Sequence, residues 1–358
     1  MRRAVAMSPT AILAVAVVAG AISYAATPLA GRLAGILQME DRPSARKVHG
    51  RVIPYLGGLG ILTGWLVAFV GADAFKESAV LLAGMAILCV VGFVDDRYDI
   101  SERLRLVVQI GVAVMVFAGG IRMSPLDNVS GIQSGALDLV LTVLWIVGIT
   151  NAFNFMDNMD GLAAGVGGIA AASLGIVGIV FGQQLVSLLG FGLAGACAGF
   201  LRHNFHPARI FMGDTGSLPL GFGLAVLAVK ADFPGVNSHI AFAVPVIILG
   251  LFVLDTTVMT LGRILRREPV IGARLDHVSH RLLQRDVPVR GVALRLYGAA
   301  ALCGTIGILV AVTQPAFAAA VVALSAVAFA VLTVALVRSP IMQVGAVAPS
   351  DATALEAA

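Results

Sequence analysis

Charged side chains are scarce in this chain: Asp, Glu, Lys and Arg make up 12% of its 358 residues, against 59% hydrophobic ones. That balance leaves too little polar surface to cover a soluble globule, so lipid must be the solvent for most of the chain. Cysteine is equally sparse. Cys89, Cys197 and Cys303 each lie inside an apolar run, outside any Cys-x-x-Cys or Cys/His spacing, which argues against both a disulfide framework and a zinc site. A formal net charge of +4 is small for this length and gives no electrostatic footprint for nucleic acid. No internal repeat is visible. The Met1-Arg2-Arg3 start has the look of a secretory signal, but its apolar run continues to about Ala30, too long for one, and ten more runs follow.

Apolar runs are what the chain has in quantity. They fall at about 9–30, 56–72, 79–94, 106–121, 138–150, 161–181, 185–201, 216–229, 240–262, 296–312 and 316–337. These eleven segments predict an all-α integral membrane protein of about 11 transmembrane helices, with one membrane domain over 1–340 and a disordered tail over 341–358. The fifth and eighth are short for a span, and the eighth carries Pro219 and three glycines, so both are expected to be tilted, broken or extended into their loops. A small hairpin is expected in 122–137, around Pro125, Asn128, Gly131 and Gly135.

Lys and Arg sort by connection: 19 lie in the odd connections and the C-terminal tail, 5 in the N-terminus and the even connections. The positive-inside rule therefore places the odd connections in the cytoplasm and the N-terminus outside, although Arg2 and Arg3 oppose this locally. The residues able to do chemistry share that parity. In connection one, Arg46, Lys47 and His49 form a cationic group suited to phosphate oxygens, or simply a cytoplasmic anchor, and Gly57-Gly58 would let backbone approach a ligand. Connection two opens with Asp95-Asp96-Arg97-Tyr98-Asp99, where the i, i+4 spacing would turn Asp95 and Asp99 to one helix face. Clustered carboxylates repel unless a cation neutralises them, and hard oxygen ligands suit Mg²⁺ on a diphosphate.

Connection three has no Lys or Arg, so anchoring cannot explain its polarity. Asn151, Asn154, Asp157 and Asp160 recur every third residue as a polar ridge beside lipid. Connection four holds Phe211-Met212-Gly213-Asp214-x-Gly216-Ser217, in which Asp214 could ligate metal and Phe211 could stack on a base or pack in the core. His203 and His206 before it read as interfacial. In connection five, His277 and His280 share a helical face next to Arg281 and could grip a diphosphate. Asp255, within the ninth span, reads as structural, with an arginine such as Arg263 for partner.

Taken in order over about residues 38–285, these motifs resemble the polyprenyl-phosphate N-acetylhexosamine 1-phosphate transferases, and within them the WecA/TagO-like branch rather than the phospho-MurNAc-pentapeptide (MraY) branch. The resemblance implies transfer of N-acetylhexosamine 1-phosphate, by default GlcNAc 1-phosphate, from a UDP-N-acetylhexosamine to a polyprenyl phosphate (undecaprenyl or decaprenyl). Polyprenyl-diphosphate-linked sugar and UMP are the products, the cofactor is Mg²⁺ with Mn²⁺ as substitute, and a cell-envelope glycopolymer is started at a bacterial plasma membrane. It implies catalytic roles for Asp95, Asp96 and Asp157, metal ligation by Asp214 and Asp99, and substrate contacts from Arg46, Lys47, His49, Asn151, Asn154, Phe211, His277, His280 and Arg281. A homodimer is left open.

Two residues depart from the family's pattern: Ser279 stands where a histidine is usual, and Asn158 where a glycine is usual. Two other classes also fit part of the sequence. An intramembrane prenyltransferase would use the Asp95-Asp96-x-x-Asp99 and Asn154-x-x-Asp157 groups on a diphosphate, but it leaves Phe211–Asp214 and the histidines unexplained. A secondary transporter would also bear intramembrane polar residues, though near the midplane and with repeat symmetry.

Overall fold

The computed structural model describes residues 8–41, 52–71, 78–124, 135–236, 238–270, 272 and 274–341. Every apolar run in the sequence is helical there. In chain order the helices are α1 (Pro9–Ile36), α2 (Gly57–Gly71), α3 (Ala79–Tyr98), α4 (Glu102–Ala118), α5 (Gly135–Met156), α6 (Leu162–Val180), α7 (Gln184–Asn204), α8 (Asp214–Lys230), α9 (Ser238–Ile248), α10 (Gly250–Leu265), the six-residue α11 (Val278–Leu283), α12 (Val289–Val312) and α13 (Pro315–Arg338). Two-residue strands β1 (Glu40–Asp41) and β2 (Ile53–Pro54) pair antiparallel and form the stem of connection one. The chain is an all-α integral membrane protein.

Seven helices, α1, α3, α5, α6, α7, α12 and α13, are long and apolar enough to cross a membrane alone, and the α9–α10 pair makes an eighth if it is one span. The expected count of eleven is not reached on length and composition, because α2, α4 and α8 have only 15, 17 and 17 residues. For α8 the reason is its position. Every residue from Thr215 to Ala228 is buried, so this helix is the shaft of the bundle and need not match the thickness of the lipid. Of the expected alternatives it is extended, from Asp214 to Lys230, and it runs unbroken through Pro219. At the other extreme, α13 buries only Ala318 and Thr333 and faces lipid almost all round.

The fifth run is extended rather than short: α5 continues to Met156 and carries Asn151 and Asn154 on its last turns. The ninth run is broken instead, α9 and α10 meeting at 76° around Leu249. Pro245 removes a ladder amide one turn before that break, and Gly250 follows it. The C-terminal ends of α1, α3, α5, α7 and α10 and the N-terminal ends of α2, α4, α6, α8 and α12 meet at one end of the bundle, where hydrogen bonds join them. At the opposite end Gln183 and Asp232 clasp each other, and Ser124 caps Asp138 at 2.8 Å. The expected hairpin falls mostly on 125–134, and the tail on 342–358, both outside the described residues.

Candidate active site

The frame of the site is backbone. Phe211 N–H donates to Pro54 C=O at 2.9 Å, and Gly57 and Gly58 N–H donate to the carbonyls of Phe211 and Met212 at 2.9 and 3.0 Å. The exit of connection one is thereby zipped to the loop before α8. A Cβ on Gly58 would lie 2.2 Å from Gly216 Cα, so this glycine pair serves contact between α2 and α8 rather than approach to a ligand.

Asp96 closes the frame from α3. Its carboxylate accepts from Asp214 N–H at 2.8 Å, Thr215 N–H at 2.9 Å and Thr215 Oγ1 at 2.6 Å. The first amides of a helix lack partners and carry partial positive charge, and the residue before α8, Gly213, has no side chain to cap them. Asp96 supplies that cap from another helix. Gly213 is required for it: φ is +72°, and a Cβ would stand 2.7 Å from Asp96 Oδ2. Both Asp96 oxygens are thus committed to holding α8.

Asp95 and Asp214 are held differently. Arg105 Nη1, from the first turn of α4, lies 2.5 Å from Oδ2 of each carboxylate. The two carboxylates share that one cationic nitrogen, which offsets a repulsion that would otherwise part them. Asp95 Oδ1 accepts from Ile100 N–H at 2.9 Å. Asn154 donates to Asp214 Oδ1 at 2.8 Å and to Ser217 Oγ at 2.7 Å, which aims the Asp214 side chain. Asp99 does not join them. The helix ends there at the left-handed φ 52°, ψ 65°, leaving Asp99 exposed, so the expected i, i+4 face is never completed.

Asp157 follows α5 directly, and its carboxylate has no hydrogen-bond partner among the described residues. Burial, then the charges of Asp96 and Asp160, push its pKa up to about 7. A carboxylate whose folded pKa exceeds its unfolded value holds its proton more tightly in the folded state, so it costs stability as pH rises from about 4 through 7. Asp157→Asn is therefore expected to raise Tm at pH 8 and leave it unchanged at pH 4. Thermal unfolding in detergent at both values checks this, and a lower Tm for the variant at pH 8 would contradict it. Tyr55 lies against Phe211, their ring centroids 6.4 Å apart. Burial, then Asp96 and Asp214, raise its phenol pKa.

Other expected ligand contacts are engaged within the protein. Asn151 exchanges hydrogen bonds with buried Gln109, at 2.6 and 3.4 Å, and donates to Val147 C=O. His277 Nδ1 and Val278 N–H are bound by Asp255, at 2.8 and 2.7 Å, so the partner of Asp255 is His277 and not Arg263. Arg263 instead forks onto Asp276, with both bonds at 2.8 Å. Arg281 Nη1 binds the carbonyls of Leu336 and Ser339, tying α11 to the end of α13, while its buried Nη2 has no hydrogen-bond partner among the described residues. His280 is buried, and burial together with His277 lowers its pKa to about 4, which favours the neutral imidazole. His203 stacks on Tyr24, while His206 pairs with Asp160 at 2.8 Å. Arg46, Lys47 and His49 lie outside the described residues.

Asp95, Asp96, Asn154 and Asp214 are thus joined through hydrogen bonds and Arg105, and Asp157 lies within electrostatic reach of Asp96. Arg105, Thr215 and Tyr55 were not singled out in the sequence. Arg105 had a signal, a cation ten residues beyond Asp95, but it is one of many arginines that also satisfy the positive-inside rule. Among the described residues no group of three His, Cys, Asp or Glu side chains is arranged around a common metal position. A pair of carboxylates drawn onto one positive nitrogen still fits Mg²⁺, which takes one or two carboxylates and completes its shell with water and phosphate oxygens.

A family model described as Glycosyl transferase family 4 matches residues 78–232, the stretch from α3 through α8 that builds this carboxylate group. A Bacillus subtilis (strain 168) protein named a probable undecaprenyl-phosphate N-acetylglucosaminyl 1-phosphate transferase is 34% identical over 276 residues, covering 76% of this chain and 77% of its own. The decaprenyl-phosphate N-acetylglucosaminephosphotransferase of Mycobacterium leprae is 33% identical over 79% of each chain. The undecaprenyl-phosphate alpha-N-acetylglucosaminyl 1-phosphate transferase of Escherichia coli K12 is 26% identical over 78% of each. Helices and site together define a polytopic membrane protein with a carboxylate cluster at one end of its bundle. The chain belongs to glycosyl transferase family 4.

Proposed function

We propose that this chain transfers N-acetylglucosamine 1-phosphate from UDP-GlcNAc to a polyprenyl phosphate. An oxygen of the lipid phosphate attacks the sugar-bearing phosphorus, the bond from that phosphorus to the bridging oxygen breaks, and UMP leaves with the oxygen. The observation that carries this reading is the Asp95–Arg105–Asp214 group with Asp157 beside it, set at one end of a lipid-facing bundle. The printed names of the relatives supply the substrates.

Two anionic substrates must meet, so positive charge has to be brought between them. Mg²⁺ held by Asp95 and Asp214 would supply a Lewis acid for the phosphate oxygens. Asn154 keeps Asp214 aimed, and Asp96 keeps the α8 N-terminus in place. Asp157, poised near neutral pH, is the group suited to take the remaining proton of the acceptor phosphate, whose own pKa is about 6. Phe211 and Tyr55 offer ring faces to the base. An isoprenoid acceptor explains why such a site belongs at a membrane boundary.

Purified protein given UDP-GlcNAc, other UDP-sugars, a polyprenyl phosphate and Mg²⁺ tests the reading. UMP release with UDP-GlcNAc supports it, and inorganic diphosphate release instead would favour a prenyltransferase. The positive-inside count supports a cytoplasmic site and an extracytoplasmic N-terminus. In a background lacking Cys89, Cys197 and Cys303, cysteines at positions 98, 158 and 278 are expected to label only from the cytoplasmic side. Labelling of any of them from outside would reverse the orientation.

A further inference from the structure

A pair of amides joins α4 to α5 inside the bundle. Asn151 donates from Nδ2 to Gln109 Oε1 at 2.6 Å, and Gln109 Nε2 returns a longer bond to Asn151 Oδ1 at 3.4 Å. Asn151 Nδ2 also donates to Val147 C=O at 2.8 Å, which fixes its orientation, since a flipped amide would set oxygen against that carbonyl. Gln109 is buried, and among the described residues Asn151 is its one hydrogen-bond partner.

Two apolar side chains would join these helices at less cost, because an amide buried away from water must be matched by a partner. What the amides add is register. Apolar faces can slide or turn past each other, whereas two amides that must meet fix one alignment. The residues around the pair make that alignment matter. Gln109 is the first buried residue of α4, and those from Glu102 to Val108 are exposed or half-buried. One turn before it on the same face is Arg105, whose Nη1 is shared by Asp95 and Asp214. Three residues after Asn151, again on one face, is Asn154, which donates to Asp214 Oδ1 at 2.8 Å. The amide pair therefore lies one turn behind both of the side chains that hold Asp214.

We propose that Gln109 and Asn151 are positioning residues: their mutual bond sets the register of α4 on α5 and so brings Arg105 and Asn154 onto Asp214 from two helices. Asn151 then serves the site through its neighbours rather than by touching substrate. The effect on catalysis rests on the transferase reading above, and the register does not.

The test uses Gln109→Leu, Asn151→Leu, the two together, and the exchanged pair Gln109→Asn with Asn151→Gln. Each single variant strands one amide, so Tm falls. In both, kcat for UMP release falls roughly 10- to 100-fold, the scale of a misplaced catalytic group, while KM for UDP-GlcNAc and for the polyprenyl phosphate stays at the wild-type values. The double leucine variant strands no amide, so its Tm recovers while kcat stays low. The exchanged pair keeps both amides and their combined length, and it recovers kcat in part. Wild-type kcat in either single variant, recovery of kcat along with Tm in the double leucine variant, a raised KM at unchanged kcat, or an exchanged pair as slow as the single variants would overturn the assignment. Spin labels at Val107→Cys on α4 and Leu144→Cys on α5, both exposed positions, read the register without substrate in a background lacking the three native cysteines. Their distance distribution broadens in the leucine variants and narrows again in the exchanged pair. An unchanged distribution would overturn the register whatever the activity. Wild-type protein that releases no UMP would sink the transferase reading, while the spin-label distances still decide on the register.

Discussion

Asp214→Asn is expected to lower sugar-phosphate transfer by roughly 10²–10³-fold or more, with the protein still folded, and Asp95→Asn to do the same. The substitution keeps the shape of the side chain and removes one negative charge. The site as built has two carboxylates converging on Arg105 Nη1 at 2.5 Å each, an arrangement that concentrates charge where a divalent cation and phosphate oxygens would have to be received. Losing one carboxylate leaves Arg105 paired with the other, so folding has little reason to suffer. Steady-state UMP release alongside Tm in the same detergent checks both halves. Full activity in either variant would remove that residue from the account.

Asp96 is expected to behave differently, although it is the next residue in the chain. Its oxygens take three hydrogen bonds from the start of α8, so Asp96→Ala strands three donors. Each stranded donor costs roughly 1–3 kcal/mol. Tm should fall, and activity should fall with it because Asp214 is the first residue of the helix that has lost its cap. Thr215→Val removes one of those bonds, at 2.6 Å, and should give a smaller loss of both kinds. The signature is thus a split between neighbours: Asp95 variants inactive and stable, Asp96 variants inactive and unstable. An Asp96→Ala protein as stable as the wild type would show that the cap carries no weight and would return Asp96 to direct chemistry.

Much of the fold could be read from hydrophobic periodicity. Ten of the eleven apolar runs are single helices and the ninth is two, because a helix satisfies its amides within one segment in lipid. Which helices reach lipid could not be read. The short, glycine-bearing α8 stood out from α13 in the sequence, but not as buried; contact with α2, α3 and α5 makes that difference. The site was legible where its residues recur with a period, as Asn151, Asn154 and Asp157 do, or where acidic residues cluster beside lipid.

Partners across loops were the part that failed to show. Spacing on one helix suggested Asp99 beside Asp95, but a left-handed residue ended the helix first. Arg281 Nη1 is held by the end of α13, 55 and 58 residues further on, a contact no local spacing announces. Asp255 chose His277, twenty-two residues away, over the arginine eight residues away. A single sequence carries no local trace of pairings that tertiary packing decides.

The measurement closest to the central claim follows one phosphorus atom. UDP-GlcNAc labelled at the sugar-bearing phosphorus is incubated with the purified chain, a polyprenyl phosphate and Mg²⁺, and the products are divided into lipid and aqueous fractions. The label should appear in the lipid together with the sugar, matched one for one by unlabelled UMP in water. Label remaining in water, as nucleotide, free sugar phosphate or inorganic diphosphate, while the lipid stays unlabelled, would contradict the account.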